Sequence, residues 1–96
     1  MTALYLIAEI HPKQDQLQAL APEFSTLIDK TRAEKGCIFY DLVQEEGSKG
    51  WLMVEKWESR LDWENHDKSE HVRHMQSLGH LFEKDTNLRF MTEVEL

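Results

Sequence analysis

The sequence predicts an α+β domain, one antiparallel sheet beside a helical layer, with elements in the order β-α-β-β-α-β. Three observations carry this prediction. Apolar residues alternate with period two at both ends of the chain, a 3-and-4 apolar stepping follows the first strand, and a Gly-dense turn, Gly47 to Gly50, separates two β-rich runs. The 96 residues are read as a single domain, 1–96, since a domain this short buries only roughly two-thirds of the surface its unfolded chain exposes and cannot be divided.

Thr2 to Ile10 forms the first strand, with Leu4, Leu6, Ala8 and Ile10 on one face and Tyr5, Ile7 and Glu9 on the other. His11-Pro12 stops it. From Lys13, the spacing Leu17, Leu20, Ala21, Phe24, Leu27, Ile28, Thr31 gives a helix with one apolar stripe, ending at Gly36. Pro22 lies inside this pattern, where a missing N–H costs about 3 kcal/mol, so a kink or a restart with Pro22 in a first turn is expected. Cys37 to Glu45 and Trp51 to Trp57 are the arms of a β-hairpin. Ser59 caps a short helix holding Leu61, Trp63 and His66, and Ser69 caps a second holding Val72, Met75 and Leu78 and reaching toward Leu81 and Phe82. Asn87 to Leu96 is the fourth strand, with Leu88, Phe90, Thr92, Val94 and Leu96 alternating against Arg89, Met91, Glu93 and Glu95.

This order is the ferredoxin-like arrangement, a four-stranded antiparallel sheet with its helices on one face. Strands one and three are apolar on both sides, Trp51, Met53 and Trp57 opposite Leu52 and Val54, whereas the helices cover only one side. The second face is therefore expected to pack on another subunit in a homodimer.

Composition removes several classes of function. Apolar residues are 41% and charged residues 30% of the chain, ordinary globular usage rather than that of a disordered chain. Eighteen acidic against eleven basic side chains, net charge -7, leave no basic field to draw the chain to nucleic acid. The single cysteine, Cys37, excludes an intrachain disulfide and a thiolate-rich metal site, and fits a reducing compartment. The apolar run Ala3 to Ala8 is too short for a signal peptide or a membrane span, so a soluble cytoplasmic protein is expected.

No phosphate loop, nucleophile elbow or helical zinc signature is present. Of the histidines 11, 66, 71, 74 and 80, His71 and His74 lie one helical turn apart. On one helix His66 and His71 would stand about 140° apart. With no carboxylate evident to complete a set, no metal site is expected. His66 follows Trp57 and Trp63 on a segment that folds back over the sheet, where an imidazole can remove a proton near neutral pH or sit buried with one hydrogen bond. The three tryptophans, 51, 57 and 63, either line an aromatic cavity or form the core. Glu55 alternates with Trp57 on one face and must meet a partner, with Arg32 or Lys56 as candidates, or carry a raised pKa. Whether Tyr40 or Asp41 lies beside it depends on the hairpin register, which the turn leaves open. Cys37 reads as a small buried residue at the strand start.

Thr31-Arg32-Ala33-Glu34-Lys35-Gly36-Cys37-Ile38-Phe39-Tyr40-Asp41 resembles the (S/T)-R-x-E-x-G-C-x-x-Y-(D/E) stretch of the antibiotic biosynthesis monooxygenase family, and Glu55-Lys56-Trp57 followed by His66 and His71 resembles its E-x-W, H and H pattern. The resemblance implies a dimeric α/β barrel of two sheets packed face to face, with a pocket between sheet and helices in each subunit. Members of the family include oxygenases that oxidise quinols or polycyclic phenols with O2 and no metal or flavin, an isomerase-like enzyme acting on a phosphorylated signalling molecule, and haem degraders. Carried over, Trp57 and His66 fall on pocket positions, with Arg32, Tyr40 and Glu55 as motif residues of variable role. Two departures count against particular activities: the first strand lacks the asparagine of the haem degraders, and Met53 stands where the polyketide oxygenases have an asparagine.

The resulting expectation is a cofactor-independent monooxygenase acting on a small electron-rich aromatic with O2. His66 is the base, Trp57 and Trp63 are walls, Tyr40 or Arg32 stabilises the oxyanion, and Met53, Glu55 and His71 are further contacts. Proton transfer or isomerisation on a small hydroxy-carbonyl compound, and a non-catalytic ligand-binding or stress-response dimer, are the alternatives.

Overall fold

Side-chain alternation along the first strand fixes the interior face of the sheet. In β1 (Leu4–Ile10) the residues Leu4, Leu6, Ala8 and Ile10 are buried, while Tyr5, Ile7 and Glu9 on the other face are half-buried. The computed structural model describes residues 2–96, and after β1 the chain forms α1 (Leu17–Arg32), β2 (Cys37–Val43), β3 (Trp51–Trp57), α2 (Arg60–Asp67), α3 (Glu70–Gln76) and β4 (Asn87–Met91). The strands run antiparallel in the order β2-β3-β1-β4, so the ferredoxin-like reading holds, and the single-chain sheet stays open with β2 and β4 at its edges.

In the β1–β3 register Leu4, Leu6 and Ala8 lie opposite Trp57, Glu55 and Met53, and these three β3 residues are buried on the same face. On the β2 side the register slips between Cys37 and Phe39, leaving Ile38 unpaired, and Tyr40 then pairs with Glu55. The bulge settles what the turn alone left open: Tyr40 is turned inward and Asp41 outward.

Helix α1 lays Leu20, Phe24, Leu27 and Thr31 on this face, the stripe read from sequence, with the Phe24 ring edge-on to Trp51 at 5.4 Å. The helix does not restart at Pro22. It runs through that residue from Leu17, after a short 3-10 turn at Gln14–Gln16. The carbonyl four residues back belongs to Gln18, an exposed position where water can take the place of the missing N–H. The helix also ends earlier than Gly36, at Arg32. Gly36, at φ 85°, instead makes the tight link into β2, its carbonyl accepting from the Glu58 N–H at 2.8 Å.

Ser59 and Ser69 cap α2 and α3 as expected, each hydroxyl accepting a backbone N–H three residues on. Leu61 is 63% exposed, so α2 turns only Trp63 and His66 of the expected trio inward. The fourth strand is shorter than the alternation suggested, ending at Met91, and Val94 and Leu96 lie fully in solvent beyond it. No helix among the described residues is long and apolar enough to cross a membrane.

Candidate active site

Between the inner sheet face and the helices lies a cavity of about 450 Å³, within the size range of small-molecule sites. Ala8, Met53, Glu55 and Tyr40 line it from the sheet, Phe24 and Leu27 from α1, and Trp63 and His66 from α2. Val72, Met75 and Phe82 line it from the following segment, and Lys84, Asp85 and Thr86 stand between that segment and β4. Trp63 is held edge-on to Phe90 of β4, ring centroids 4.8 Å apart. Most of the lining from the sheet and α1 is apolar or aromatic, Glu55, Tyr40 and His66 are the buried polar groups, and Asp67 and Gln76 join Lys84, Asp85 and Thr86 as further polar lining residues.

Glu55 is only 4% exposed, and its carboxyl accepts from Trp57 Nε1 at 3.0 Å. Burial pushes its pKa up to about 7; the negative charges of Asp67 and Glu34 push the same way, while the Trp57 hydrogen bond pulls down. Opposite it, the Tyr40 phenol is raised well above its ordinary value by burial and then by the Glu55 and Glu34 charges. It therefore remains an O–H donor at any physiological pH.

His66 is buried on the far side of Tyr40 and Trp57, ring centroids 5.4 and 4.8 Å away. Its Nδ1 lies 2.7 Å from Glu34 Oε2. Burial pulls His66 down to about 4, with the neighbouring His71 acting in the same direction, and lifts Glu34 to about 7. Burial thus makes the His66 imidazole a weaker base than the near-neutral one expected, while the Glu55 carboxyl is shifted upward toward neutral pH.

The cavity brings together Tyr40, Met53, Glu55, Trp63 and His66, and leaves out the other three expected site residues. Arg32 points away. Its Nη2 lies 2.9 Å from Asp41 and its Nε donates to the Tyr40 carbonyl at 3.1 Å, with about half its side chain in solvent. It is neither the partner of Glu55 nor an oxyanion donor, because the bulge turns Asp41 outward to meet it. Trp57 is fully buried, does not line the cavity, and donates its indole N–H to Glu55. His71 lines a smaller recess with Glu23, Lys30 and Glu70.

The expectation that no carboxylate joins the histidines is also overturned. A break at Lys68–Ser69 places His66 and His71 on separate helices, bringing their rings to 5.9 Å, and Glu34 lies against both. The signal was present in the motif, since Gly36 tightens the chain just after Glu34 and turns it toward α2. Cys37 is half-buried, and its thiol is pushed up to about 11 by burial and then by Glu34, so it stays protonated and unreactive.

Residues 3–78 match the profile of the antibiotic biosynthesis monooxygenase family. The chain belongs to this family. Over 66 residues it is 33% identical to Rv0793 of Mycobacterium tuberculosis, provisionally named a monooxygenase, covering 69% of this chain and 65% of that relative's length. The solved structure of Rv0793 superposes with a TM-score of 0.88 at 25% identity, covering 99% of this chain and 98% of that one. PA3566 of Pseudomonas aeruginosa gives 0.87 at 27% identity, covering 99% and 97%. A conserved protein of Methanosarcina mazei gives 0.88 at 26%, covering 95% and 92%. The family assignment and the fold agree with the motif resemblance, and within this monooxygenase-family fold the cavity sits between sheet and helices.

Proposed function

We propose that the protein oxidises a small electron-rich aromatic, a quinol or phenol, with O2, Glu55 taking the proton and Tyr40 donating to the developing oxyanion. The observation that carries this reading is Glu55 itself, a carboxyl buried beside apolar and aromatic side chains of the cavity wall, with its pKa pushed up to about 7. A deprotonated phenol is electron-rich enough to reduce O2 by one electron. The superoxide and substrate radical then join at a ring carbon, and the hydroperoxide loses water to leave a carbonyl. One oxygen atom enters the product, the other leaves as water, and the substrate supplies all four electrons, so this reaction draws none from a cofactor. The protein supplies a partly enclosed cavity, a proton acceptor and a donor that stays protonated. Trp63 and Met53 form walls that suit an aromatic ring.

The same pair suits a second reading, enolisation of a small hydroxy-carbonyl compound, in which Glu55 removes a carbon-bound proton and Tyr40 holds the enolate oxygen. Oxygen uptake against a panel of quinols and polycyclic phenols, with and without chelator and with Glu55→Gln beside the wild type, separates the two. Uptake lost in Glu55→Gln is the expected result. Deuterium exchange into a hydroxy-carbonyl substrate under anaerobic conditions, with no uptake on the panel, would favour the second.

A homodimer belongs to the same reading. The outer sheet face presents Ile7, Leu52 and Val54 with no helix over them, and the edge strand adds Met91 at 38% exposure. The expected mass in dilute solution is twice that of one chain, and a monomer at micromolar concentration would contradict it. The lone Cys37 thiol suits a reducing cytoplasm.

A further inference from the structure

Glu34, His66 and His71 come from three separate places in the chain: the link after α1, then α2, then α3. Their donor atoms converge. His66 Nδ1 lies 2.7 Å from one Glu34 oxygen and His71 Nε2 lies 3.1 Å from the other, all within 4.8 Å of one another. Two imidazole nitrogens and one carboxylate are a donor set suited to a divalent first-row metal. We infer that Glu34, His66 and His71 form a binding site for a divalent transition-metal ion of the zinc class, at the wall of the cavity that His66 forms.

A second observation points the same way. His71 Nε2 is shielded from solvent and makes no aligned hydrogen bond, although a Glu34 oxygen is only 3.1 Å away. A buried nitrogen left in that state is costly, and an ion among the three side chains would give it a partner. At metal–ligand lengths of about 2.0–2.1 Å, donor atoms of a tetrahedral site stand about 3.4 Å apart. The contacts of His66 and His71 to Glu34 must therefore open by about 0.7 and about 0.3 Å, within the reach of small side-chain rotations. The recess of about 200 Å³ on the outer side of His71 offers an entry path and room for a water ligand. Lys30 at this recess opposes a cation, while Glu23 and Glu70 favour one.

Glu34 and His71 lie outside the large cavity and His66 is shared with its wall, so an ion here would stand on the Glu34 side of the His66 ring. It would tie the end of the α1 segment to the α2–α3 pair and fix the His66 ring against Tyr40 and Trp57. This site stands whether or not the oxidation reading does.

Tag-free, chelator-stripped protein titrated with Co2+ tests the inference, with visible ligand-field absorption as readout and equilibrium dialysis for stoichiometry. One ion per chain is expected, displaced by Zn2+. Glu34→Gln and His71→Gln should each weaken Co2+ binding on the order of 100-fold or more. His74→Gln should leave it unchanged, because His74 pairs at the surface with Glu23. Absence of stoichiometric uptake at about 0.1 mM Co2+ would overturn the site, and so would full affinity in His71→Gln or loss in His74→Gln. Ring 15N shifts of the wild type under Zn2+ decide the matter even where a variant fails to fold. His66 Nδ1 and His71 Nε2 must both move, and unmoved resonances would refute the site.

Discussion

Glu55→Gln should make the protein more stable at alkaline pH while abolishing the proposed oxidation. The carboxyl is 4% exposed, and its pKa is raised from 4.5 to about 7, chiefly by burial. Below about pH 4.5 it is protonated in folded and unfolded chains alike and contributes no difference. Between about 4.5 and 7 the unfolded chain releases the proton and the folded chain keeps it, so stability falls as pH rises, and the loss is complete above about 7. At about 1.4 kcal/mol per pH unit the full cost is about 3 kcal/mol. Glutamine keeps a carbonyl for Trp57 Nε1 and removes the charge. The variant should therefore match wild type at pH 4 and exceed it by up to about 3 kcal/mol at pH 8. Urea denaturation at pH 4, 6 and 8, at one fixed protein concentration, measures this directly. The groups facing Glu55 are Tyr40 across the strand pair, Trp57 on its own strand, and the more distant charges of Asp67 and Glu34, whose coupling to Glu55 is a smaller contribution than burial. A stability difference that does not change between pH 4 and pH 8 would refute the reasoning. Glu55 would then be an ordinary ionised carboxylate, and its place as the proton acceptor would fall with it.

Tyr40→Phe removes the one phenolic donor lining the cavity and should lower kcat about 100-fold with little change in KM, read by oxygen uptake on a confirmed substrate. Gly36→Ala should destabilise the fold by roughly 1–3 kcal/mol in thermal denaturation, because φ is 85° and the added methyl would overlap the Asp62 side chain. Gly47→Ala, at φ 79° with open space around it, should show only the smaller backbone part, about 1 kcal/mol. Arg32→Ala should leave turnover within about twofold of wild type and cost at most about 1 kcal/mol, since the Arg32–Asp41 pair is half in solvent.

The parts of this fold that a period in the chain determines are legible in the amino-acid sequence. Leu4, Leu6, Ala8 and Ile10 declare an inner face by alternation, and the stripe through Leu20, Phe24 and Leu27 declares a helix. Ser59 and Ser69 declare where the next two helices begin. The site is legible only in part, because it depends on long-range register. One unpaired residue, Ile38, decides that Tyr40 faces Glu55 and that Arg32 is drawn outward to Asp41. Nothing in the local sequence marks that slip. Desolvation is equally invisible in a linear pattern. His66 reads as a near-neutral base until its burial is known, and nothing in the spacing shows that Glu34 meets both His66 and His71. The fourth strand fails in the opposite sense: its alternation continues to Leu96, but pairing with β1 stops at Met91.

Trp57 offers the sharpest check on whether Glu55 sets the chemistry, because it touches the carboxyl without reaching the substrate. Its indole N–H donates to Glu55 at 3.0 Å, a bond that favours the ionised form and holds the pKa below the value burial alone would give. Trp57→Phe removes the donor and keeps an aromatic ring in the core. A hydrogen bond to a charged group contributes about 1.5–3 kcal/mol, which corresponds to about one to two pH units. The acidic limb of the kcat/KM profile should therefore move from about pH 7 to about pH 8 or above, while the rate on the alkaline plateau changes much less. A purely structural role for Trp57 would lower the whole profile and leave the position of the limb where it was. The position of that limb, not the size of the rate loss, decides between a buried tryptophan that merely fills the core and one that tunes the proton acceptor above it.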